Sequence, residues 1–289
     1  MRRLEGRTIN LDGHHLSAVP QAVLGDPSLI GLSLFQNQLS VLPGALWQLT
    51  RLESLNLGDN RIEVVPDGIG QLRRLRMLDL GHNQLLSLPD AVGELEELSG
   101  FLYLSNNRLA ALPESLGNLS RLMYLNVSDN RLTTLPTRLG DMRALRELRL
   151  YRNQLTALPD GIGELAQLRE LHARQNRLVS LPESLGNLRE LRELDLEGNA
   201  LTSLPPSIGG LGQLRRLNLR HNTIATLPAS MGNLTELTHL DLRANPLRTL
   251  PEEMSTLTHL EKLDLRWCEL DALPPWMASL QARGCTVYR

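Results

Sequence analysis

Aliphatic residues recur along this chain in a fixed frame. One stretch reads Leu52-x-x-Leu55-x-Leu57-x-x-Asn60-x-Ile62-x-x-Val65-Pro66-x-x-Ile69-Gly70-x-Leu72, with polar residues at most positions between. Leu55-x-Leu57 alternates with a period of two, which predicts a short strand with one buried face. The spacing then shifts to three between Ile69, Leu72 and Leu75, which predicts one helical or 3₁₀ turn. Proline followed by an acid, as in Pro66-Asp67, Pro113-Glu114 and Pro182-Glu183, marks where that turn begins. Proline has no N–H to leave unpaired there, and an acid complements the positive end of a helix.

The frame repeats from end to end. Asparagine stands at Asn37, Asn60, Asn83, Asn107, Asn130, Asn153, Asn176, Asn199, Asn222 and Asn245, 23 residues apart except for 24 between Asn83 and Asn107. The same register passes through His14 and Cys268 and carries a proline six residues further on in every turn, from Pro20 to Pro274. About twelve turns follow. Because the frame is unbroken, the expectation is a single domain over 1–289, with capping turns at 1–28 and 268–289. The extra residue in Leu98-Ser99-Gly100-Phe101 predicts a bulge entering the fifth strand. A buried asparagine must find partners for two donors and an acceptor, and the backbones of adjacent turns can supply them. His14 and Cys268 stand at the ends of this column, where a neighbour is missing. A structural role therefore suits both better than a metal or redox role.

Composition narrows the class. Leucine accounts for 69 of 289 residues, aromatics for nine, and 30 basic residues nearly cancel 32 acidic ones. Net charge thus makes no case for nucleic acid or an anionic membrane. Lys262 is the only lysine and has no glycine loop before it, which excludes a Walker A site, a kinase and a Ser-x-x-Lys enzyme. No apolar run approaches the roughly 18 residues of a membrane span. Met1–Gly6 leads into polar residues rather than a signal-peptide core, and two cysteines make no disulfide framework. The expectation is a cytoplasmic chain without cofactor.

The pattern over residues 6–280 resembles the leucine-rich repeat family, in particular its 23-residue intracellular class typified by Ras-group repeat proteins, LAP-type scaffolds and bacterial relatives. That resemblance implies a right-handed α/β solenoid, the leucine-rich repeat horseshoe, with a parallel sheet on its concave face. It also implies a module that binds a protein or peptide there and performs no catalysis. The tail Ala282–Tyr288 resembles a closing strand. A second reading is a bacterial effector delivered into a host cell without a cleaved signal. A third is an enzymatic or small-molecule site near the Gly100 insertion, and a fourth is self-association through the concave face or a solenoid end.

On such a sheet the outward positions lie six, four, two and one residues before each asparagine and one after it. Six of the nine aromatics fall there: Phe35, Phe101, Tyr103, Tyr124, Tyr151 and Trp267. With Arg149, Arg152, His172 and Arg174 beside them, they have the composition of an interaction hot spot. The candidate partner-binding residues are therefore Phe101, Tyr103, Tyr124, Arg149, Tyr151, Arg152, His172 and Arg174, expected to be exposed. Towards the C-terminus, Arg174, Glu197, Arg220, Arg243 and Arg266 share one column, and His172, Asp195, Asn218, Asp241 and Asp264 another. Lateral pairing across strands reads as a solvated row of surface ion pairs, and its acids argue against duplex DNA. No two histidines have metal-ligand spacing. His221 and His239 with Asp241 come nearest, and the expectation is no metal site. Glu147, Glu170 and Glu193 stack near His172, but an open sheet gives them no water-excluding pocket. Asn118-Leu-Ser, Asn126-Val-Ser and Asn233-Leu-Thr match the glycosylation triplet by coincidence.

Overall fold

A computed structural model describes residues 7–289. The part of the N-terminal capping turn at 1–6, and the reading of Met1–Gly6 as no leader, lie outside the described residues. The chain divides into two compact units. One runs to Leu132 and includes Asp141–Leu145; the other comprises Thr133–Gly140 and Arg146–Arg289.

The first unit stacks β1 (Arg7–Asn10), β2 (Leu29–Ser33), β3 (Ser54–Asn56), β4 (Met77–Asp79), β5 (Phe101–Tyr103) and β6 (Tyr124–Asn126) in chain order, all parallel. The second stacks β7 (Glu147–Arg149), β8 (Glu170–His172), β9 (Glu193–Asp195), β10 (Arg216–Asn218), β11 (His239–Asp241), β12 (Lys262–Asp264) and β13 (Thr286–Tyr288) in the same way. Each unit thus has the leucine-rich repeat solenoid architecture that the family resemblance implies. The expected closing strand is β13, which the helix α2 (Trp276–Ala282) returns to the sheet beside β12. A shorter helix, α1 (Gln21–Leu24), occupies the matching place in the first turn.

Between strands the chain makes 3₁₀ turns, such as Asp67–Gln71 in the first unit and Glu183–Asn187 in the second. Proline sits immediately before each of these two turns, and its carbonyl accepts the first bond, as when Ile69 N–H donates to Pro66 at 3.1 Å. The glycine column inside the turns has a packing cause. A Cβ on Gly163, Gly186 or Gly232 would run into a backbone carbonyl of the following turn.

The asparagines do what their chemistry requires. Asn60 Nδ2 donates to the carbonyls of Leu34 and Leu57, both at 3.0 Å, while its Oδ1 accepts the Leu39 N–H at 3.0 Å. Leu34 and Leu39 both belong to the preceding turn, so the column is directional, and the two ends are not equivalent as the sequence reading assumed. His14 Nδ1 lies 2.9 Å from the Asp12 carbonyl of its own turn. Cys268 retains the backward contact through Sγ to the Leu242 carbonyl at 3.2 Å. The insertion lies ahead of β5, as expected. Gly100 N–H still bonds the Arg76 carbonyl at 2.9 Å, and a Cβ there would come within 2.9 Å of Met77 Cγ.

Candidate partner-binding face

Each inner strand is three residues long, with its central leucine turned inward. Leu102, Leu125, Leu148 and Leu171 have no exposure above 0%. The flanking residues face outward. Past the strand the chain turns a tight corner whose residue before each asparagine, and before Cys268, adopts a left-handed backbone: Arg152 has φ 52°, Gln175 54°, Ala244 53° and Trp267 62°. Side chains other than glycine pay for that region, yet the repeat imposes it. Arg152 therefore stands on the corner rather than on the strand, where its Nε donates to Gln175 Oε1 of the next corner at 2.8 Å.

The eight expected site residues fall into two groups. In the first unit Phe101, Tyr103 and Tyr124 form one aromatic cluster. Ring centroids lie 4.7 Å apart for Phe101 and Tyr103 and 5.0 Å for Tyr103 and Tyr124, both pairs tilted. Phe101 and Tyr124 also pair in register across β5 and β6. The rings cover one another and are half-buried, which corrects the expectation of fully exposed side chains. Asn126, third in β6, is buried, with Oδ1 taken up by the Ser128 N–H at 3.0 Å.

In the second unit Arg174 lies 5.0 Å above the Tyr151 ring, a cation–π contact. Arg149 Nε donates to Glu147 at 2.6 Å, and His172 Nε2 lies 3.2 Å from Glu170 Oε2. Arg149, Tyr151, His172 and Arg174 line an open depression of about 260 Å³ with Glu193 and Asp195. Burial pushes the Asp195 carboxyl above the ordinary range; the Glu197 N–H and the charges of Arg174 and His172 offset part of this.

The acidic column has a second role that spacing did not reveal. Asn56, Asp79, Asn126, Asp195, Asn218, Asp241 and Asp264 each accept the N–H of the residue two further on, an Asx turn that finishes the strand. The C-terminal ion pairs are also not all solvated. Asp264 is 0% exposed and is held by Arg266 Nη2 at 2.7 Å and Arg243 Nε at 3.4 Å. Burial alone would raise the Asp264 carboxyl, but the Arg266 hydrogen bonds and the charges of Arg243 and Arg266 together hold it below the ordinary range.

Strand register brings together one group that histidine spacing missed. Ligand atoms of Glu147, Glu170 and His172 lie within 4.8 Å of one another. His221 instead stands on a left-handed corner, and His239 Nδ1 bonds the Thr238 hydroxyl at 3.0 Å. Among the described residues no helix is long and apolar enough to cross a membrane.

Comparisons agree with this geometry. No curated protein matches the chain in sequence. Among solved structures it is similar to a leucine-rich repeat protein of Leptospira interrogans, at 25% identity over 99% of this chain and 96% of that one, TM-score 0.53. It is similar to the plant peptide hormone receptor RGFR1 in complex with RGF2, at 29% identity over 93% of this chain and 52% of the receptor, TM-score 0.67. It is also similar to a chain of an octameric complex of latrophilin 3, Unc5D and the repeat protein FLRT2, at 26% identity over 87% and 78%, TM-score 0.71. The profile of the leucine-rich repeat region matches residues 69–173 and 152–245, and further repeat profiles match 7–62 and 256–272. The repeat frame, its asparagine column and these matches place the chain in the leucine-rich repeat family.

Proposed function

We propose that this chain is a non-catalytic module that binds a protein or peptide partner on its sheet face. The single observation that carries the reading is the concentration of aromatics and arginine there: the Phe101–Tyr103–Tyr124 cluster on one unit and Arg174 over Tyr151, with Arg149, Arg152 and His172, on the other. Tyrosine and arginine offer large contact area and hydrogen-bonding ends at low ordering cost. Similar repeat structures stand in complexes with RGF2 and with latrophilin 3 and Unc5D, which supports a macromolecular ligand by analogy of fold. The repeat frame, continuous but for one inserted residue, supports a single functional domain over 1–289, and two free cysteines, Cys268 and Cys285, favour a cytoplasmic setting.

Affinity capture compares the wild type with Tyr103→Ala plus Tyr124→Ala and with Tyr151→Ala plus Arg174→Ala. Trp267→Ala is the control, since Trp267 is 66% exposed outside both groups and Ala244 already occupies the same corner in the preceding turn. Each double variant should lose a specific partner that the control retains. Retention by both double variants, or loss by the control alone, would refute the assignment.

A further inference from the structure

We propose that Glu147, Glu170 and His172 bind a divalent transition-metal ion of the zinc class on the outer face of β7 and β8. Glu147 and Glu170 are register partners on adjacent parallel strands, so two carboxylates face each other at about the 4.8 Å strand spacing. Like charges directly opposite destabilise a sheet, and a cation between them reverses that sign. His172 follows Glu170 by two residues and shares its face, which adds a nitrogen donor to the two oxygens. All three side chains are half-buried, and their ligand atoms lie within 4.8 Å of one another.

Tetrahedral zinc, with bonds near 2.0–2.1 Å, sets its ligands about 3.3 Å apart. His172 Nε2 and Glu170 Oε2 are already at 3.2 Å, so only the flexible Glu147 arm must swing inward. Arg149 Nε holds Glu147 Oε1, which leaves Oε2 for the ion and makes Arg149 an outer partner that orients the carboxylate. Glu193, in register beside Glu170, adds negative charge, and Arg216 reaches it only at 3.9 Å. Tyr151, Arg174 and Asp195 line the open depression next to His172. An imidazole among the donors selects zinc-like ions, whereas calcium and magnesium take all-oxygen shells of six or more ligands.

Calorimetric titration of the whole chain with ZnCl₂ tests the site independently of any partner. The expected result is one saturable ion per chain, weakened at least about tenfold by Glu170→Gln and by His172→Ala. Binding should be unchanged by His221→Ala plus His239→Ala, and CaCl₂ should not compete. Circular dichroism checks that each variant is folded; if His172→Ala is not, Glu147→Gln, which keeps an acceptor for Arg149, takes its place. The proposal is overturned if zinc does not saturate, if folded Glu170→Gln and His172→Ala bind it like wild type, if the His221/His239 pair abolishes binding, or if calcium competes equally.

Discussion

The side-chain amide of Asn60 donates to the carbonyl of Leu34, one turn back, at 3.0 Å, and through its Oδ1 accepts the Leu39 N–H of that same turn at 3.0 Å. One buried side chain thus satisfies backbone groups that no strand reaches. Asn60→Ala should destabilise the first unit by about 1–3 kcal/mol, since the buried Leu39 N–H loses its partner while the Leu34 and Leu57 carbonyls keep the amides of Asn37 and Asn83. Cys268→Asn should instead be tolerated or mildly stabilising, because an amide can use the Leu242 carbonyl that Cys268 already contacts. Thermal melts of both variants check the contrast.

Gly186 and Gly212 separate close approach from open space. A Cβ on Gly186 would collide with the backbone of Ser207 in the next turn, while nothing lies within 4 Å of one on Gly212. Gly186→Ala should cost about 1–3 kcal/mol through forced backbone shifts. Gly212→Ala should be neutral or gain about 0.4–1 kcal/mol by restricting the unfolded chain. Equal effects in denaturant titrations would contradict the packing account of the column.

Asp195 and Asn218 are neighbours that do one job, accepting the N–H two residues on at 3.2 and 3.1 Å. Burial raises the Asp195 carboxyl above its ordinary 3.8. The folded state then holds that proton more tightly than the unfolded state, so stability falls as pH rises from the ordinary value through the raised one. Asp195→Asn removes the charge and keeps the bond. Its melting midpoint should exceed wild type by about 2 °C at pH 7, and the gap should close by pH 3.

Asp264 behaves in the opposite sense. Arg266 and Arg243 outweigh its burial and hold the carboxyl below the ordinary range, so its contribution is present above the unfolded value and is lost as pH falls through the lowered one. Arg266→Met leaves a buried carboxylate short of its main partner. The variant should melt earlier than wild type at pH 7, and the difference should shrink below about pH 4. A pH-independent gap would mean that Arg266 acts by packing alone.

Much of this molecule is legible in its periodicity, because strand, 3₁₀ turn and asparagine column each follow from residue types at a fixed step, while the closing strand came from the resemblance of the tail. The left-handed corner was not. Gln36, Asp59, His82, Arg152, Ala244 and Trp267 occupy it, with glycine at Gly13 and Gly198, so no one residue type announces a conformation that the turn geometry imposes. The aromatic columns were legible as outward-facing, but mutual ring packing, which half-buries Phe101, Tyr103 and Tyr124, depends on register and tilt. The same holds for Asp264, whose burial comes from two arginines closing over it. The repeat columns already stacked Glu147 and Glu170 near His172, but the distances between their ligand atoms depend on side-chain rotamers that no spacing gives.

Hydroxyl-radical footprinting of the chain, alone and with its captured partner, tests the binding face most directly. Tyr103, Tyr124 and Tyr151 should lose labelling in the complex, while Trp267, on its exposed corner, should label as before. Unchanged labelling at all three tyrosines, with protection confined to Trp267 or to residues off the sheet face, would contradict the account.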